Sequence, residues 1–213
     1  RLAFVGLPAA GTTMIMPVSV GVVTRLISVY GPAAVAGFGV ASRIETFALS
    51  FIQAVAAVTV PFVGQNSAAG RFDRSREGVR AGALVSLAWS VLLTVLVLLL
   101  RRRIAGIFTE NPEVMKVTTR YLLIVTASYG FQGILLIVSS AFNGLNRPLR
   151  SASLSLTRMF VLYIPLALVL RHFFQASGIF AAAAAANLLS GLLAWVWIMR
   201  TLKNEEISLS QPE

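Results

Sequence analysis

Two charged residues interrupt a long apolar stretch of the sequence. Arg43 and Glu45 lie inside the run from residue 33 to residue 63, and Glu45 is the only acidic residue that falls in a predicted membrane span. A charge at the centre of a membrane helix costs on the order of 2.5–3.5 kcal/mol. Two positions apart on a helix, the two side chains point about 200° apart and pair poorly with each other. We expect each to meet another helix or water, either in a substrate or ion pathway or in a structural pair near the membrane surface.

Neutral polar side chains form two further stripes. The face of Glu45 also carries Ser42, Thr46 and Gln53, and the stretch 117–142 carries a second stripe that extends from Tyr121 to Asn143. Hydroxyl and amide groups of this kind bind cations or amphipathic molecules, or they form interhelical hydrogen bonds of about 0.6 kcal/mol each. The candidate pathway residues are therefore Glu45, Arg43, Gln53, Tyr129, Gln132 and Asn143.

The composition excludes most other chemistries. Of 213 residues, 57% are hydrophobic and only 12% are charged, with a mean hydropathy of +0.81, whereas soluble chains have about 25% charged residues. There is no cysteine and one histidine, and phosphate-loop, zinc-protease and serine-hydrolase motifs are absent. We expect no enzyme, no metal and no cofactor. The net charge of +10 is spread over short clusters between apolar runs, which does not indicate nucleic-acid binding.

The apolar runs predict an all-α membrane protein, because a segment in lipid must satisfy its own backbone and needs about 20 residues to cross. Pro17 and Gly21 in the first run are hinge candidates, since each permits a kink. A six-helix lobe is predicted over residues 1–203, followed by a polar and disordered tail over 204–213. The six predicted spans are 2–26, 33–63, 81–100, 117–142, 151–170 and 179–199.

Basic residues predict the orientation of these spans. One face carries nine of them and the other carries six, and the richer face is expected to be cytoplasmic, together with both ends of the chain. The nine are Arg1, Arg71, Arg74, Arg76, Arg80, Arg147, Arg150, Arg200 and Lys203, and the six are Arg101, Arg102, Arg103, Lys116, Arg120 and Arg171.

Several short motifs, in order along the chain, resemble the multidrug and toxic compound extrusion (MATE) transporters, and their DinF-like branch in particular. The resemblance implies about twelve helices in two six-helix lobes, of which this pattern matches the second. It implies a first six-helix lobe as partner, a lipid bilayer, and a bacterial inner membrane. The motifs are Gly6-Leu7-Pro8-Ala9-Ala10, the runs 34–41, 63–66 and 107–114, Tyr121-Leu122 and Asn143-Gly144.

The activity that this resemblance implies is secondary active efflux of organic cations or other amphipathic drugs, by antiport with protons or sodium. The acidic positions of the sodium-coupled branch fall at Met16 and Gly133 here. This departure implies the DinF-like branch, whose coupling carboxylate lies in the first lobe, so protons are favoured. Within this lobe, Glu45 is a further candidate for proton coupling, with a structural pair with Arg43 as the alternative. One alternative is a flippase for lipid-linked oligosaccharides, which predicts a more basic cavity than Arg43 and Arg158 supply. Another is a helical scaffold that transports nothing, which predicts polar stripes fully paired within the lobe.

Overall fold

The computed structural model describes residues 20–210, and its elements in that range are all helical. A 3₁₀ turn at Thr126–Ser128 joins α4 to α5, and a π-helical segment at Thr157–Tyr163 joins α6 to α7. The helices are α1 (20–28), α2 (Pro32–Ala68), α3 (Phe72–Phe108), α4 (Pro112–Val125), α5 (Tyr129–Gly144), α6 (Pro148–Leu156), α7 (Ile164–Phe174) and α8 (Ala176–Ser210).

Five stretches within residues 20–210 are long and apolar enough to cross a membrane: α2, α3, α4 with α5, α6 with α7, and α8. The predicted all-helical membrane fold is thereby confirmed. The first predicted span is described only from residue 20 onward, and Pro17 lies outside the described residues. Several helices are longer than predicted. α3 has 37 residues and is about 55 Å long, because its charged ends continue the helix beyond the hydrocarbon layer.

Local sequence explains where these helices begin. Gly31 adopts a φ of 94°, which favours glycine, and Pro32 then opens α2 at a position where no amide hydrogen is needed. At the start of α4, Asn111 Oδ1 accepts hydrogen bonds from the backbone nitrogens of Glu113 and Val114, at 2.9 and 3.3 Å. Such caps satisfy amide groups that would otherwise lack partners.

α5 lies at the centre of the bundle and packs against α2, α3, α6 and α8. Small residues permit these close approaches. A β-carbon added to Gly191 of α8 would lie 2.5 Å from the carbonyl oxygen of Phe131, and one added to Gly144 would lie 2.5 Å from that of Val60. The run of alanines at residues 181–186 of α8 is largely buried, including Ala182 and Ala186.

Two apolar cores occupy opposite halves of the bundle. The first combines α1, the early part of α2, α4, the π-helical segment and the early part of α8. The second combines the later part of α2, the early part of α3, α5, α6 and the later part of α8. Each of the long helices α2 and α8 therefore passes from one core to the other, and a seam separates the two cores.

The last helix corrects the prediction of a disordered tail over the residues that the structure describes. α8 continues through Ser210. Glu205 pairs with Arg147 before α6, and Glu206 pairs with Arg76 of α3. These contacts tie 204–206 to two connections at the same end of the bundle, which the polar composition of the tail did not indicate. Half-exposed pairs of this kind stabilise by about 0–1 kcal/mol each.

The glycine contact between α5 and α8 gives a test of this packing. We expect Gly191→Ala to lower the free energy of unfolding by about 1–3 kcal/mol, because the added methyl group overpacks against the Phe131 backbone. Thermal unfolding of the purified protein in detergent measures this change. Gly39→Ala is the matched control, because no atom lies within 4 Å of its added carbon, and it should be neutral or slightly stabilising. Equal unfolding temperatures for the two variants would contradict the packing.

Candidate functional site

Glu45 of α2 is half-buried and faces two polar side chains of the fourth span. The Tyr121 hydroxyl donates a hydrogen bond to Glu45 Oε2, and Gln132 Nε2 donates to Oε1 at 3.3 Å. Ion pairs within residues 20–210 join only Arg76 to Glu206 and Arg147 to Glu205. Neutral groups of α4 and α5 therefore hold the Glu45 carboxyl group, and no guanidinium of the described chain does.

The hydrogen bonds continue from Gln132 into α8 and the π-helical segment. Asn187 Nδ2 donates to Gln132 Oε1 at 3.1 Å and to Ser128 Oγ at 2.9 Å. On its other side, Asn187 Oδ1 accepts from Arg158 Nε at 2.8 Å. One chain of polar groups thus links a carboxyl group to a guanidinium through two amides. We name this set the polar cluster: Glu45, Tyr121, Ser128, Gln132, Arg158 and Asn187.

Both helix irregularities of the described chain lie at this cluster. Ser128 belongs to the 3₁₀ turn, and Arg158 belongs to the π-helical segment. Irregular helix leaves carbonyl groups without their usual partners, which lipid cannot supply. At the 3₁₀ turn, two serines of α3 supply donors: Ser86 Oγ donates to the carbonyl of Gly130 at 3.0 Å, and Ser90 Oγ donates to that of Thr126 at 3.2 Å.

The cluster lies at the seam between the two apolar cores. Along α2, Glu45 falls between Leu49 and Ala41 of the first core and precedes Ile52 of the second, and along α8, Asn187 falls between Ala186 and Ala194. Apolar layers on both sides separate the cluster from the ends of the bundle. Charge interactions are stronger in such a low-dielectric place than in water.

Aromatic rings surround the carboxyl end of the cluster. The Tyr121 ring makes edge contacts with Phe38 and Phe180, at centroid distances of 5.8 and 5.0 Å. Tyr129, Tyr163 and Phe180 are buried in the same apolar core. These rings form the apolar surroundings of the carboxyl group.

The structure brings only part of the predicted site together. Glu45 and Gln132 are bonded directly, and Tyr129 is buried beside them, although its hydroxyl has no hydrogen-bond partner within residues 20–210. Arg43 is exposed and makes no hydrogen bond to a described residue. Its direction follows from its place two positions before Glu45, which turns it to the opposite side of α2.

Gln53 and Asn143 also lie away from the polar cluster. Gln53 is exposed, because eight positions along α2 rotate a side chain by about 80° from Glu45. Asn143 shares a face with Gln132 but lies eleven positions later, at the exposed end of α5, about 16 Å farther along the axis. The spacing rule that grouped them with Glu45 ignored this rotation and this rise. Of the two hinge candidates, Pro17 lies outside the described residues, and Gly21 lies within α1 with no heavy atom within 4 Å of an added β-carbon.

Four members of the polar cluster were absent from the predicted site: Tyr121 and Ser128, which lie in the second polar stripe, and Asn187 and Arg158, which lie in neither stripe. Asn187 is the one amide that follows the run of six alanines, in a span otherwise built of apolar and small residues. Arg158 is the one charged residue inside the predicted span 151–170. A polar residue in a membrane span indicates a functional site or a polar partner by default. Both Asn187 and Arg158 carry this signal in the sequence.

The helical fold and the polar cluster at the seam define a multi-pass membrane protein with a polar site inside its bundle. The MatE family model matches residues 8–169, so the chain belongs to the MATE family, whose members are transporters and not enzymes. The family that the motifs indicated is thereby confirmed.

Individual relatives agree with this assignment. A crystal structure of the Vibrio cholerae MATE transporter VcmN in the bent form is similar with a TM-score of 0.91 and 28% identity, covering 97% of this chain and 47% of that one. The FAD transporter of Shewanella oneidensis is 28% identical over 94% of this chain and 44% of its own length. The multidrug export protein MepA of Staphylococcus haemolyticus is 24% identical, over 94% and 44%. The chain thus spans about half the length of these relatives.

The hydrogen bonds of Asn187 give a test of the cluster. We expect Asn187→Leu to lower the free energy of unfolding by at least about 2 kcal/mol, because it leaves Gln132 Oε1 and Arg158 Nε without their partner and each loss costs about 1–3 kcal/mol. Thermal unfolding in detergent measures the change. Gln53→Leu is the control, since it makes the same change of residue type at an exposed position. A variant at Asn187 that unfolds at the temperature of the control would contradict the network.

Proposed function

We propose that the chain forms one half of a secondary active transporter that exports organic cations or other amphipathic compounds in exchange for protons. The observation that carries this proposal is the carboxyl group of Glu45, half-buried at the seam and held by neutral donors. A carboxylate without a cationic partner can take up a proton or face a cationic substrate, and the two compete for one charge. Membership of a transporter family and the name of the multidrug export relative support efflux.

The cluster offers a way to convert protonation into movement. Glu45 as a carboxylate accepts from both Tyr121 and Gln132. A protonated carboxyl group must instead donate one hydrogen bond. Gln132 could accept it only through Oε1, which already accepts from Asn187. Protonation therefore requires either the Gln132 amide or the Tyr121 hydroxyl to rotate, and either rotation changes a hydrogen bond between helices.

The packing around Gly133 supports protons over sodium as the coupling ion. The acidic position of the sodium-coupled branch falls here, and a β-carbon on Gly133 would collide with Ser86 Oγ and would lie 2.9 Å from Ile52. A side chain at this position would require Ser86 and Ile52 to shift. The other position, Met16, lies outside the described residues.

The partner and the orientation belong to the same proposal. We infer that a first six-helix lobe of the same protein closes a cleft over the polar cluster and that both lobes alternate between two openings. The end of the bundle that carries Arg76, Arg147 and Arg150 would face the cytoplasm of a bacterial inner membrane. The excess of basic residues at that end supports this orientation.

A second candidate is export of FAD or a related anionic dinucleotide. The Shewanella oneidensis relative with that name is 28% identical, and the guanidinium of Arg158 in the cluster favours an anionic substrate. The oligosaccharide flippase has weaker support, because Arg43 does not join Arg158. A scaffold that transports nothing would pair its polar groups internally, whereas neither terminal nitrogen of Arg158 has a hydrogen-bond partner within the described residues.

Glu45→Gln tests the coupling. In proteoliposomes holding the full-length protein, we expect uphill export of a fluorescent cationic dye, driven by a pH gradient in sodium-free buffer, to fall more than tenfold in this variant. The reason is that glutamine is close in shape to the protonated carboxyl group but carries no titrating proton. Downhill dye exchange should persist. Glu77→Gln, at an exposed position of α3, is the control.

Unchanged uphill export in the Glu45 variant would remove this carboxyl group from coupling. If export requires sodium, then sodium is the coupling ion instead of the proton. If the wild type moves no dye but moves FAD, the second candidate becomes the function.

A further inference from the structure

Arg158 is a cation within the membrane that lacks a carboxylate partner in the described chain. It belongs to the π-helical segment of the membrane span Pro148–Phe174, and its side chain is half-buried. Arginines inside membrane spans are rare and normally pair with acidic groups or backbone carbonyls. Both ion pairs found within residues 20–210 lie at one end of the bundle and do not include Arg158.

Only one nitrogen of the Arg158 guanidinium has a partner in the structure. Nε donates to Asn187 Oδ1 at 2.8 Å, and neither terminal nitrogen donates to any residue from 20 to 210. The bond to Asn187 fixes the plane of the guanidinium and leaves its terminal donors for another group. Such a planar fork matches the two oxygens of a carboxylate or a phosphate, which it binds through two parallel hydrogen bonds.

The amides between Arg158 and Glu45 keep the two charges apart. Asn187 directs its oxygen to Arg158 and its nitrogen to Gln132, and Gln132 repeats the pattern, with its oxygen to Asn187 and its nitrogen to Glu45. Both amide dipoles thus point the same way, from the cation to the anion. Each charge is stabilised by its neighbour, and neither is neutralised by the other.

We propose that Arg158, oriented by Asn187, binds a carboxylate or phosphate group of the transported compound. This inference rests on the proposed transport function and narrows its substrate class to amphipathic molecules that carry an anionic group. Glu45, at the other end of the amide chain, then faces a cationic or hydrogen-bond-donating part of the same molecule.

Two dyes that differ in one group test this proposal. Rhodamine 110 has a free carboxylate, and rhodamine 123 is its methyl ester with the same fluorophore. We expect the purified full-length protein to bind the carboxylate dye about tenfold more tightly, as a charge-assisted bidentate contact implies. Fluorescence anisotropy at neutral pH measures both affinities. Equal affinities, or binding of neither dye, would overturn the proposal whatever the variants do.

Variants then assign the preference to this side chain. Arg158→Gln should remove the preference for the carboxylate dye and leave binding of the ester unchanged, since glutamine can still donate to Asn187. Arg158→Lys should keep part of the preference, because it retains the charge without the fork. Arg80→Gln, at an exposed position of α3, should change neither affinity. A preference that survives in Arg158→Gln would place the anion elsewhere.

The same dyes separate this inference from the transport proposal. Selective binding of the carboxylate dye with no gradient-driven export of either dye would refute transport and keep the anion site. Gradient-driven export with no preference between the dyes would keep transport and refute the anion site. Thermal unfolding of each variant, measured alongside, identifies any loss of binding that comes from loss of the fold.

Discussion

A polar group in lipid must find its hydrogen-bond partner inside the protein, and this requirement governs the structure. Backbone groups meet it by forming helices, and serines of α3 donate to carbonyl groups at the 3₁₀ turn, where the helix is irregular. The same requirement assembles the polar cluster, where Asn187 serves Gln132, Ser128 and Arg158 at once. Apolar cores above and below keep water from replacing these contacts along the helices. The result is a polar centre whose hydrogen bonds are few and interdependent.

Such a centre is suited to changing state. Each amide of the hydrogen-bonded series has one orientation that matches a charged Glu45. A proton on that carboxyl group makes it a hydrogen-bond donor, so the first amide must then present an acceptor. Gln132 lies on α5 and Asn187 lies on α8, so a change in their hydrogen bond alters the contact between these two helices. Close packing at Gly191 joins α8 to α5, and close packing at Gly144 joins α5 to α2. In the transport function that we propose, these contacts would pass a change at the Glu45 carboxyl group to the helices of the lobe.

The sequence predicted the fold well and the site only in part. Hydropathy and length identified the membrane spans because lipid imposes one backbone solution. Glu45 and Gln132 were found because a polar residue in an apolar span stands out. Gln53 and Asn143 were grouped with them by an approximate period, although rotation and rise separate them. The contact of Asn187 with Gln132 joins residues 55 positions apart in sequence, and no local pattern encodes that distance. The ion pairs of Glu205 and Glu206 at the end of α8 join Arg147 and Arg76, which are equally remote in sequence.

The central claim is that one carboxyl group exchanges a proton for substrate. Proton release on substrate binding tests it most directly: a cationic dye is added to the full-length protein in weakly buffered detergent solution near neutral pH, with a pH indicator present. The account predicts proton release that saturates with dye binding in the wild type and is absent in Glu45→Gln, while the variant still binds dye. Equal proton release by both proteins would contradict it and would assign the exchange to another group.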